Sequence, residues 1–210
     1  MKNLALFNLD GTITQKDTMS EFFEYAINKK VFKRNSFFYS KQLVALKMGV
    51  IKQNEFDSRM CMHCLQGIGE KEFHAIANEF ARQELPKLIT SKAKQRLEWH
   101  RKYKHEIAIV TSAVDEVVLP WSKQNGYQLL ASQLEISQGA LTGNYLNLPN
   151  RGFEKVKRIQ TFFDLAVYDR VYTYVDSEDD AAMLRLGDEG YVNWNLSQGI
   201  SPSKGHANVR

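Results

Sequence analysis

Asn8, Asp10 and Thr12 stand at alternate positions directly after a short apolar run, Leu4 to Phe7. On an extended segment side chains two residues apart point the same way, so positions 8 and 10 would face one site. Thr111 and Ser112 follow a second apolar run, Ile107 to Val110, and Asp176, Ser177, Asp179 and Asp180 follow a third, Val171 to Val175, while Lys155 opens a helical pattern. Hydroxyls, a lysine and several carboxylates gathered on one edge suit phosphoryl chemistry with magnesium, which takes hard oxygen ligands while lysine and hydroxyl groups hold the phosphate oxygens. Taken singly, each residue has a plainer reading: an Asp after a strand is most often a turn or cap residue, Thr111 could cap the next helix, and Lys155 alone would be a solvated lysine. Jointly, those readings require four independent accidents at the same edge.

That edge must be built by strands and helices in alternation. After Pro86 the pattern predicts a helix through Arg96, a strand at Ile107 to Val110, a helix from Asp115 to Gln124, a strand around Gln128 to Ala131 and a hairpin in Glu135 to Tyr145 turning at Gln138-Gly139. A helix at Glu154 to Phe163, a strand at Val171 to Val175, a helix at Asp179 to Leu186 and a short strand at Tyr191 to Asn193 complete it. This order predicts an α/β fold, a doubly wound, mostly parallel sheet with helices on both faces, whose ligands lie outside the carboxyl ends of the strands. Between Met19 and Glu84 apolar spacing turns helical, with breaks at Gly49 and at Gly67 to Gly69. The expected division is therefore a core of residues 1–13 and 85–210 with a helical cap of residues 14–84 inserted after the first strand.

Four segments carry a family resemblance. ALFNLDGT resembles the first signature of haloacid-dehalogenase-type phosphatases, D-x-D-G-T after a strand, with the first Asp replaced by Asn8. IAIVTSA resembles the second, RGFEKVKRI the third and YVDSEDDAAML the fourth, and LTGNYLNLPNRGFEK is similar to the hairpin-to-lysine region of the phosphoserine-phosphatase-like branch. The resemblance implies that residue 8 is the nucleophile position and that Asp10 is the general acid and base, lending its backbone carbonyl to the metal. It implies Mg2+ held by positions 8, 10 and 176, phosphate held by Thr111, Ser112 and Lys155, and supporting roles for Thr12 and for Asp180, which would orient Lys155. An amide is a poor nucleophile, so the chain is expected to be nearly inactive and to bind magnesium less well. Retention of Asp10, Lys155 and Asp176 argues against gradual decay of the site and favours an introduced substitution over a natural binding protein derived from an enzyme. Rival readings are a non-enzymatic phospho-ligand binding protein and a phosphotransferase or mutase on the same fold. Asp17 lies about where the relatives pair with a substrate amine, whereas neither Arg59 nor His63 is well placed to grip a substrate carboxylate. Asp179 stands where asparagine is usual and Val175 where glycine is common.

A formal net charge of +4 with the lysines scattered suits a small phosphorylated metabolite and gives no basic block for nucleic acid. The start shows no signal-peptide pattern and the longest apolar stretch is far short of the roughly 20 residues that cross a membrane, so a cytoplasmic monomer or homodimer is expected, with no membrane partner. Cys61 and Cys64 flank His63 in a C-x-x-C spacing that suits zinc or a dithiol, but no second cysteine pair exists and buried packing is the favoured reading. The aromatic stretch Asn35 to Ile51 is read as cap packing in preference to a membrane-facing amphipathic helix.

Overall fold

The computed structural model describes residues 2–31, 36–177 and 180–197. Asn35 and Asp179 fall outside them. Six strands form one sheet in the order β3-β2-β1-β6-β7-β8. They are β1 (Asn3–Asn8), β2 (Glu106–Val114), β3 (Gln128–Ser132), β6 (Arg170–Val175), β7 (Glu189–Val192) and β8 (Asn195–Leu196). The first five run parallel and β8 turns back antiparallel on β7. A second sheet is the hairpin of β4 (Leu134–Ser137) and β5 (Ala140–Tyr145), turning through Gln138 and Gly139, both at positive φ.

The central strand is β1, apolar on both faces because both are covered. Ala5 and Phe7 join one buried cluster with Ile107, Ile109, Tyr172 and Tyr174; Leu4 and Leu6 join the other with Ala108, Val110, Val171 and Val175. The first face is covered by α6 (Ser91–Lys102), by α7 (Asp115–Asn125) and by the helices of residues 18–83: α1 (Thr18–Asn28), α2 (Ser36–Lys47), α3 (Gln53–Met60), a π-helical turn (Cys61–Leu65) and α4 (Glu70–Gln83). Among them Phe22 packs edge-on against Phe73 and Phe80, with Phe56 fully buried nearby in the same cluster. Each such ring contributes roughly 1.5–3 kcal/mol by leaving water. The second face is covered by α8 (Phe153–Phe162) and α9 (Ala181–Leu184), through Ile159, Met183 and Leu184. Between α4 and α6 lies the one-turn α5 (Leu85–Leu88).

Several local expectations are corrected. β2 runs four residues past Val110 to Val114, the last helix is a single turn ending at Leu184 instead of Leu186, and the final strand starts at Glu189 instead of Tyr191, with the antiparallel β8 added after it. The hairpin, read only as a hairpin, braces the helical segment: Gly67 and Glu70 donate to the carbonyls of Leu141 and Gly139, and Leu141 donates to Ile68. Gly143 at φ +86 lies so close to the Met62 backbone that a Cβ there would sit 2.9 Å from its Cα. Cys61 and Cys64 are both free and buried, their thiols pushed up to about 12 by burial, as befits packing residues. The aromatic stretch divides: Tyr39 and Ile51 are core residues, while Phe37, Val44, Met48 and Val50 are exposed. Among the described residues no helix is long and apolar enough to cross a membrane.

Under the first face runs a partly buried polar chain. Asn3 Nδ2 meets His105 Nε2 at 3.1 Å, His105 Nδ1 meets His100 Nδ1 at 2.8 Å, and His100 Nε2 meets the Tyr174 hydroxyl at 2.9 Å. Because the Asn3 amide only donates, His105 Nε2 accepts, its Nδ1 carries the proton, and His100 is neutral with its proton on Nε2. Burial first, then His105 and Arg96, hold His100 down to about 3. As pH falls below 6.5 the unfolded chain takes up a proton that folded His100 refuses until about 3, so this stability is complete above 6.5 and drains away towards 3. His100→Gln should lower the melting temperature at neutral pH and flatten its fall over that window; an unchanged pH slope in thermal melts would contradict the assignment.

Candidate functional site

The chain leaves β1 for β2 on one side and returns to β6 on the other, so a crevice opens at the carboxyl end of β1, where ligands bind in open α/β sheets. Asn8 pairs with Val110 in register and Phe7 with Tyr174, which brings Asn8, Thr111 and Asp176 to one edge. The next turn must pass under Asp176. Gly11 makes that possible: it has φ +73, and a Cβ there would lie 2.8 Å from Asp176 Oδ2.

Six of the eight residues singled out from the sequence are joined directly. Asn8 Nδ2 donates to the Asp10 carbonyl at 2.8 Å and to Asp176 Oδ1 at 3.0 Å. Lys155 Nζ donates to Asn8 Oδ1 at 3.0 Å and to Asp180 Oδ2 at 2.7 Å. The Thr111 hydroxyl lies 3.4 Å from Asp10 Oδ2, and the Thr18 amide donates to Asp10 Oδ1 at 2.8 Å. Lys155 is no surface lysine, being only 5% exposed. Nor is Thr111 a helix cap, since the cap position of α7 is Val114. Asp10 does both jobs, tying down the first amide of α1 while facing the crevice. Ser112 adjoins the group along β2, and Thr12 is buried with its hydroxyl unpaired among the described residues, bonded to none of the others.

Electrostatics are dominated by burial. It pushes the Asp10 carboxyl up to about 7, with Asp17 adding to the rise and the Thr18 amide and Lys155 opposing it. Asp17 caps α1 through the Ser20 amide at 2.8 Å, and burial with the charge of Asp57 raises it too. Asp57, on α3, is raised by burial and held back by Arg151, its ion-pair partner from the loop before α8, and Gln53 donates to it at 2.8 Å. Arg59 is tied to Glu55 on its own helix and to Gln42 on α2. His63 packs against Phe38, ring centroids 4.1 Å apart.

The sequence reading missed the brace behind Thr111 and Ser112. Asn150 is fully buried; its Nδ2 donates to the carbonyls of Thr111 at 3.1 Å and Leu130 at 2.7 Å, and its amide donates to Ser132 Oγ, which donates to the Ser112 carbonyl at 2.8 Å. In the sequence Asn150 stood only as one residue of the segment between the hairpin and Lys155, with no pattern to mark it. The Asp57–Arg151 pair, 94 residues apart in the chain, was equally illegible.

As a metal site the donor set is incomplete. The Asp10 carbonyl and Asp176 carboxylate are hard oxygens suited to magnesium, but Asn8 turns its NH2 group towards both. Among the described residues no three His, Cys, Asp or Glu side chains form a group that could hold a metal ion.

The chain is similar to known proteins over most of its length. A family model described as haloacid dehalogenase-like hydrolase matches residues 5–185. A histidinol-phosphatase of Neisseria meningitidis serogroup C (strain 8013) is 26% identical over 204 residues, covering 90% of this chain and 89% of that protein. A crystal structure of a protein of unknown function from Bordetella pertussis Tohama I superposes with TM-score 0.79 at 21% identity, covering 91% of this chain and 90% of that one. The phospho-aspartyl intermediate analogue of phosphoserine phosphatase superposes with TM-score 0.61 at 16% identity, covering 91% of this chain and 86% of that one.

Asn150→Ala would leave two buried carbonyls without their donor, at a cost of about 1–3 kcal/mol. Urea denaturation should show that loss, with a smaller one for Ser132→Ala; equal stability of Asn150→Ala and the parent would remove the brace from the account.

Proposed function

The chain belongs to the haloacid dehalogenase-like hydrolase family, and from that premise we propose that it is the scaffold of a magnesium-dependent phosphomonoesterase for small phosphorylated metabolites, halted at residue 8. The observation that carries this reading is the direct bonding of residues 8, 10, 155, 176 and 180 at the carboxyl end of the central strand.

With an aspartate at position 8, its carboxylate would attack phosphorus and form an aspartyl-phosphate, dividing one difficult hydrolysis into two easier steps. Asp10 is placed to give a proton to the departing alcohol and later to take one from the attacking water, and its hydrogen bond from Thr18 holds it in position. Lys155, oriented by Asp180, offsets the charge of the phosphoryl oxygens and keeps residue 8 aimed, and Thr111 with Ser112 completes the phosphate cradle. Magnesium bound by an aspartate at 8, the Asp10 carbonyl and Asp176 would supply charge neutralisation. The neutral Asn8 amide cannot carry out the attack, so this chain is nearly inactive in this reading.

Residues 14–84 act as a cap over the crevice, excluding water and choosing the substrate. Asp57 on that segment joins Arg151 on the core loop, so the cap is tied down beside the site. Asp17 and Asp57 both lie within electrostatic range of Asp10. Phosphate esters that carry an ammonium group, as histidinol phosphate and phosphoserine do, therefore head the substrate panel.

Asn8→Asp should raise magnesium-dependent release of phosphate from p-nitrophenyl phosphate by about a thousandfold or more, as restoring a missing nucleophile does. Adding Asp10→Asn to that variant should abolish the gain. A folded Asn8→Asp protein that hydrolyses no ester of the panel would sink the reading; a phosphorylated acceptor in place of free phosphate would reassign it to phosphoryl transfer.

A further inference from the structure

Two of the oxygens that a cation would need in this crevice are already engaged. The Asp10 carbonyl and Asp176 Oδ1 accept hydrogen bonds from one NH2 group, that of Asn8, at 2.8 and 3.0 Å. Asn8 itself is 6% exposed, while Asp10 and Asp176 are half-buried. Nor can the amide turn over at low cost to offer its oxygen to a metal. Its Oδ1 accepts from the Lys155 ammonium at 3.0 Å; a flip would set NH2 against NH3+ and oxygen against two oxygens, exchanging three attractive contacts for three repulsive ones. Lys155 is itself fixed by Asp180 at 2.7 Å, which keeps its charge on that side of Asn8.

We infer that the Asn8 amide stands in for the divalent cation in this chain, so that the crevice holds its shape and binds a phosphate group without metal. The inference rests on the phosphatase reading of the site and goes beyond it. Two physical effects favour it. An amide in place of a carboxylate removes one negative charge from a buried acidic group, which lessens both the need for a cation and the repulsion met by an incoming phosphate dianion. The partial positive charge on the NH2 hydrogens satisfies the same carbonyl and carboxylate that a cation would otherwise bind. Lys155 remains as the fixed positive charge for phosphate.

The test uses the whole Asn8 chain beside Asn8→Asp, with magnesium alone and inorganic phosphate as probes. Calorimetric titration with phosphate in EDTA and in magnesium should give dissociation constants for the Asn8 chain within about a factor of two, a difference of under half a kilocalorie. Its melting temperature should not respond to magnesium or EDTA. Asn8→Asp should melt lower in EDTA, recover with magnesium and bind phosphate at least about tenfold more tightly with the metal. Phosphate binding by the Asn8 chain that vanishes in EDTA, that is absent in both conditions, or that is accompanied by magnesium stabilisation equal to that of Asn8→Asp overturns the inference. The Asn8 measurements decide it even if the variant fails to fold in EDTA. The phosphatase reading fails separately, through an Asn8→Asp protein that turns over no ester.

Discussion

Lys155 is the buried charge around which the crevice is organised. An ammonium taken out of water is costly unless it is paired and hydrogen-bonded, and here it reaches Asn8 and Asp180 at once. Those bonds join three distant stretches of chain: the end of β1, the first turn of α8 and the segment leading into α9. Asn8 passes the constraint on to Asp176 and to the Asp10 backbone. Asn8 Nδ2 and Lys155 Nζ each reach two partners, so a change at one member alters the bonding of its neighbours.

Two supports hold this network in register. On the sheet side, Asn150 and Ser132 clamp β2 to β3, so that Thr111 and Ser112 keep their place relative to the segment leading into α8, whose first turn carries Lys155. On the helical side, Asp10 anchors α1 through Thr18, and Asp57 joins Arg151. The hairpin β4–β5 adds a third contact by pairing with residues 67–70 and pressing Gly143 on the π-helical turn. The helices of residues 18–83 are thus secured both by an apolar interface and by polar ties that end beside the crevice. An arrangement of that kind can shape what enters without contributing the reacting atoms.

Much of the site was legible in order because parallel strands place their carboxyl ends together, and a residue just after an apolar run therefore has a predictable destination. Asn8, Thr111 and Asp176 were found by that rule alone. Lys155 followed from its place in the RGFEK segment. Thr12 shows the limit of the rule: it shares the spacing of 8 and 10, but the chain has already turned at Gly11, and its hydroxyl meets none of the group. Arg59 bonds to Glu55 and Gln42, and the His63 ring packs on Phe38, contacts that no spacing along the chain announced.

Periodicity and the position of polar residues after apolar runs determined the α/β class and the parallel sheet and put Asn8, Asp10, Thr111, Asp176 and Asp180 at one edge, while Lys155 came from its own segment. Only tertiary structure decided which way Asn8 points, that Asn150 is buried behind Thr111 and Ser112, and that Asp57 belongs with Arg151. The physical reason is range. Strand and helix patterns are written in neighbours a few positions apart, whereas the orientation of an amide is chosen by charges that lie 147 and 168 residues away along the chain and 3.0 Å away in space.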